Sequence, residues 1–162
     1  MVTRTVALRT AAACALPLLL TSCGNDGPPA ASPGTSAAEV QAITSTFEHF
    51  FDSSLPVDQK MALLQNGQAF TETLEHQAHS SIAGGASANV SQVDADGPGR
   101  ASVTFTIKKH GIPLLPNRHG TALQLDGTWK VAAATFCDLL RIEGGVPAVC
   151  DATPTTAPVP TS

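Results

Sequence analysis

The stretch at 121–140, T-A-L-Q-L-D-G-T-W-K-V-A-A-A-T-F-C-D-L-L, constrains the fold more than any other part of the chain. Asp126-Gly127 lies between alternating apolar runs, and glycine takes a positive φ without a Cβ clash, so the pair marks a hairpin. Loop length then sets the register. A two-residue loop places Gln124 opposite Trp129, the one tryptophan in the chain; a three-residue loop over 125–127 places Leu123 there. The second register keeps apolar side chains together and is the one expected. On this reading Trp129, Val131, Ala133, Thr135 and Cys137 share one strand face, and Lys130, Ala132, Ala134 and Phe136 the other. The small alanines call for a helix packed closely over the sheet. Trp129 reads as a core residue rather than the wall of a ligand pocket, because a ring that large commonly fills the core of a small domain.

The segments before the hairpin supply helices and then strands. Ser36, with Glu39 three residues on, forms a capping box for a helix over 36–51. Val40, Ile43, Phe47, Phe50 and Phe51 make its apolar stripe. A second short helix is expected over 58–64, stopped by Asn66-Gly67, and a third over 68–79 with Phe70, Leu74 and Ala78 inward. A Gly/Ala/Ser loop follows over 80–88, then a strand over 89–95 and a turn at Asp96-Gly97-Pro98-Gly99. From 100 to 110 the alternation is clean: Ala101, Val103, Phe105 and Ile107 face one way, Ser102, Thr104, Thr106 and Lys108 the other. Residues 111–117 carry Ile112, Leu114 and Leu115 between Pro113 and Pro116, and read as an apolar loop that covers the domain's own core rather than the rim of a pocket. The hairpin completes a meander of about four strands.

The two ends differ in character from this middle. Residues 1–22 read as a secretory signal: Arg4 and Arg9, then an apolar run over 11–20, half the length needed to span a bilayer. Leu20-Thr21-Ser22-Cys23-Gly24 resembles the lipobox of bacterial lipoproteins. The resemblance implies acylation of Cys23, cleavage before it, and a lipid anchor on the extracytoplasmic face of the cell membrane, where each buried CH₂ adds about 0.8 kcal/mol. Residues 23–36 then form a disordered tether, 37–150 an α+β domain, and 151–162 a disordered Pro/Thr-rich tail.

Candidate chemistry is sparse. The net charge is −4 and no basic patch appears, which argues against nucleic acid as a partner. Glu72, Glu75, His76 and His79 have spacings that suit a shared helical face, yet match no metal motif, and read as a solvated face; no metal and no cofactor is assigned. Cys137 and Cys150 remain in an exported chain and are expected to pair, closing a loop of about 13 residues worth on the order of 3 kcal/mol. No catalytic residues are assigned. Asp52 and Asp94 have ordinary helix-end and turn explanations.

The export signal, the helices followed by an antiparallel meander, and Gly127-Thr128-Trp129-Lys130-Val131 with Phe136-Cys137 together resemble the mycobacterial low-molecular-weight secreted antigen family. The resemblance covers residues 37–150. It implies a cystatin-like or nuclear-transport-factor-2-like cone, with N-terminal helices packed on a curved antiparallel sheet. It brings no catalytic residues to carry over. Isomerases of that fold use a tyrosine, and this chain has none. The expected function is therefore a non-enzymatic binding or interaction module of the cell envelope, with an envelope protein or an apolar ligand as partner. As a carrier of an apolar ligand or lipid, its cone would be lined by Phe47, Phe50, Phe70, Phe105 and Trp129.

Overall fold

A computed structural model describes residues 29–31, 34–80 and 84–151. The signal at 1–22, Cys23 and the tail at 152–162 lie outside the described residues. The elements run β1 (Ala30–Ala31), α1 (Ala37–Phe51), α2 (Val57–Leu63), α3 (Thr71–Ala78), β2 (Ala86–Ala95), β3 (Arg100–Lys109), β4 (Ile112–Leu125), β5 (Thr128–Val131) and α4 (Ala133–Glu143). Single 3₁₀ turns at Gly67–Phe70 and Ala148–Cys150 complete them. Strands β2 to β5 form an open antiparallel meander in chain order, and α1 lies across β2 and β5. This is the expected α+β architecture with helices on a curved sheet. The two residues of β1 fall within the stretch read as tether, and pair in parallel with Gln92 and Val93 of β2.

The α1 helix starts as its sequence requires. Glu39 N–H donates to Ser36 Oγ at 3.2 Å, and Ser36 N–H donates to the Glu39 carboxylate at 3.1 Å. Its buried stripe is Val40, Ile43, Phe47 and Phe50. The inner face of β3 is as read: Ala101, Val103, Phe105 and Ile107 are all buried. All six phenylalanines join one network of ring contacts, with Phe105 stacked on Phe51 and Phe136 meeting both Phe50 and Phe70 edge-on. Gly120 makes this closeness possible. A Cβ there would come within 2.6 Å of Thr135 Cγ2 and 3.0 Å of the Phe105 ring, so any larger residue would force the helices off the sheet.

The hairpin departs from expectation in two ways. First, Asp126 and Gly127 both take positive φ, 51° and 76°, which makes a two-residue loop whose twist matches the strands. Gln124 therefore faces Trp129, and Leu123 faces Lys130. The deciding pair is one step further in. Ala122 and Val131 are partners on the inner face and both are fully buried, whereas the three-residue register would have put Thr121 against Val131. Second, the strand stops at Val131, and Ala133–Glu143 is a helix rather than its continuation. Ala133, Phe136, Cys137 and Leu140 stand at i, i+3, i+4 and i+7, and all are buried. Ala132 offers no side-chain cap, so the first turn borrows one: Ala133 N–H donates to Gln65 Oε1 at 3.0 Å. Gly144 ends the helix at φ 85°, with Gly145 N–H bonded to Leu140 C=O at 3.2 Å.

Two smaller differences bear on the site. β2 begins at Ala86, inside the stretch read as loop, and β4 begins at Ile112, so the proline-flanked apolar segment is strand. Lys108 pairs with Pro113, and the register shifts on either side of Ile107 accommodate the strand past its prolines.

Candidate functional site

A cleft of about 120 Å³ opens between the helices and the β3–β4 end of the sheet. Each wall follows from an element already placed. The stripe of α1 ends in Phe50 and Phe51, α3 contributes Leu74, and α4 contributes Phe136, Leu139 and Leu140. The sheet contributes Ile107 and Leu115. Polar groups stand toward the opening: Ser53, Lys60, Gln77 and Glu143. Leu114 also lines it and is 47% exposed, while Ile112 beyond it is 70% exposed. Leu114 and Leu115 thus line the cleft as well as covering the core.

Of the five aromatic residues expected to line a cone, Phe50 alone does so. Phe47, Phe70 and Phe105 are fully buried in the core, and Trp129 on β5 is buried too, its carbonyl accepting from Thr46 Oγ1 of α1 at 3.3 Å. The cone's inner end is filled by the rings themselves. The cleft lies among α1, α3, α4 and the β3–β4 end of the sheet. Sequence reasoning missed the lining from α4 because that helix was read as strand. Its i, i+3, i+4, i+7 periodicity was present in the sequence, but an alternating pattern fits the same residues.

Lys60 is the one cationic residue among the described lining residues. It sits half-buried on α2, and burial lowers its pKa because apolar surroundings disfavour the charged ammonium; the nearby Asp52 charge opposes this. Among the described residues its ammonium makes no hydrogen bond and no close ion pair. Asp52 itself is held by Ser54, whose N–H and Oγ both donate to its carboxylate at 2.8 Å and lower its pKa. Across the opening, Gln77 Nε2 donates to the Glu143 carboxylate at 2.6 Å.

The α3 cluster does not converge. Glu72 and His76 border a second, more open groove with Glu143 and Pro147, while Glu75 and His79 are exposed on α3. Among the described residues no three His, Cys, Asp or Glu side chains come together to hold a metal ion. Asp94 accepts from Gln92 Nε2 at 2.7 Å on β2, away from the cleft. Cys137 and Cys150 form the expected disulfide, with Cα atoms 5.6 Å apart. The bridge fastens the segment after Gly144 to α4, a helix, rather than to a last strand.

The model of the low molecular weight antigen MTB12 C-terminal domain matches residues 36–147. The chain belongs to this antigen family. The match starts at the N-cap of α1 and ends at Pro147, the N-cap of the final 3₁₀ turn, so it takes in every helix and the four-stranded meander. In this antigen-family domain the cleft is built wholly from residues inside the matched range. A comparison with curated proteins finds no match. Among the described residues no helix is long and apolar enough to cross a membrane.

Proposed function

We propose that this chain is an exported, non-enzymatic binding module of the antigen family, anchored at the extracytoplasmic membrane face through an acylated Cys23, which holds a small apolar group in its cleft. The observation that carries the reading is the cleft: an apolar enclosure inside the matched domain, open on one side, with a few polar groups at its mouth. Its size limits the occupant. Drug-sized ligands need about 300–1,000 Å³, whereas an apolar cavity of roughly 150 Å³ holds one benzene. About 120 Å³ therefore suits one ring or a short length of alkyl chain, not a whole lipid. Support for a non-enzymatic role comes from the same lining. Its ionisable groups among the described residues are Lys60 and Glu143, and Glu143 is bonded to Gln77.

Titration with benzene or hexanol, followed by methyl NMR, checks the cleft. Shifts are expected at Leu74, Ile107, Leu115 and Leu139, and Ala78→Trp, which places a large ring at the mouth, should weaken binding at least tenfold. Shifts confined to other methyls, or binding untouched by the substitution, would overturn the reading. The anchor is checked separately by the mass of the mature N-terminal peptide from the native host. A peptide beginning at Cys23 with added acyl mass is expected, and an unmodified N-terminus would make the protein a freely secreted one.

A further inference from the structure

The cleft pairs an apolar interior with one half-buried ammonium that makes no hydrogen bond or close ion pair among the described residues, the Asp52 charge acting on it from further off. A charge in that position is poorly served. Lys60 lines the cleft beside apolar walls, which reduce its hydration, and the Asp52 charge reaches it only from beyond salt-bridge distance, with Asp52 Oδ1 held by two bonds from Ser54. The opposite charge at the mouth, Glu143, differs in both respects: it is exposed and accepts from Gln77. The mouth is therefore polarised, positive and without a hydrogen bond at α2, negative and hydrogen-bonded at the α3–α4 side.

We propose that the ligand of this cleft is a small anionic amphiphile, with its alkyl or aryl end between Phe50, Leu74 and Ile107 and its anionic head on Lys60. This rests on the reading of the cleft as a ligand site and adds the charge of the occupant. An anion at Lys60 regains for the ammonium the pairing that burial removed, and charge-assisted bonds of that kind are the strong ones. A cationic head is disfavoured at Lys60 by like charge, and at Glu143 it would share an exposed carboxylate with Gln77. The head is read by charge rather than by shape, since lysine presents a point charge and not a fork.

The test compares hexanoate, hexyl phosphate, hexanol and hexylammonium at pH 7 by NMR titration of the intact domain. Tails of five or six carbons make the head the main difference. Hexanoate should bind about tenfold tighter than hexanol, and hexylammonium weaker than both. Lys60→Met, which keeps the stem and removes the charge, should abolish the preference while leaving hexanol affinity within about twofold. Lys60→Arg should retain the preference. The phosphate arm shows whether a carboxylate or a phosphate head is favoured. If hexanol and hexanoate bind equally, or the preference survives in Lys60→Met, this proposal falls and the apolar cleft stands. If none of the four binds, the cleft reading itself falls.

Discussion

Phe105→Ala should destabilise the domain by about 3–5 kcal/mol, the range for truncating a fully buried phenylalanine. Phe105 is 0% exposed on β3, which has partner strands on both sides. Its ring stacks on Phe51 with centroids 5.4 Å apart and meets Phe47 edge-on at 5.3 Å. The site has little freedom to collapse. β3 is held by ladders to β2 and β4, and the neighbouring Gly120 backbone already sits against the ring. Most of the ring's volume should therefore remain as a cavity, which places the cost toward the upper end. For a domain of this size the unfolding midpoint should fall by roughly 10–20 °C. Thermal and urea denaturation measure it, and a loss below about 1 kcal/mol would show that the six rings do not pack as one core.

Removing the disulfide with Cys137→Ala and Cys150→Ala together should cost about 2–4 kcal/mol. The bridge spans a sequence separation of 13, and a closed loop of about that length is worth roughly 3 kcal/mol through the unfolded chain. Alanine avoids burying a hydroxyl in a place where both cysteines are 0% exposed. The loss should be local as well as global. Glycines 144 and 145 lie inside the loop, so a protease should cut after α4 in the variant well before it cuts the native chain. Urea denaturation and timed proteolysis give the two readouts; native-like values in both would mean that α4 holds the segment without the bridge. The same variant bears on the cleft, because α4 supplies Phe136, Leu139 and Leu140 to its wall.

Much of the architecture is legible along the chain because its causes are local. The capping box at Ser36 and Glu39, the strict alternation of β3 and the turn at 96–99 each involve neighbours within a few residues, and each appears where the pattern puts it. The pairing of Cys137 with Cys150 is legible by elimination on the reading that the chain is exported. The α4 segment is the instructive failure. A-A-A-T-F-C-D-L-L satisfies an alternating pattern and a helical one together, and nothing within the segment separates them. The choice is made by Gln65, 68 residues away, which caps the first turn, and by Thr135 Oγ1, which accepts the Thr121 N–H at 2.8 Å in the buried layer.

The site was less legible than the fold for the same reason. Aromatic residues that would serve a pocket wall serve equally as core, and composition does not say which rings meet and which stand apart. By itself the sequence determined the order of helices and strands from α1 to β5, the inward faces of α1 and β3, the family and the bridged cysteines, since these follow from short-range periodicity and from residue type. Tertiary structure alone decided the hairpin register, through the burial of Ala122 against Val131, and the position of the cleft, where divergence of α3 and α4 from the sheet leaves a gap beside Lys60. Those two depend on how volumes fill space between elements distant in the chain, and volume has no signature in any one stretch of it.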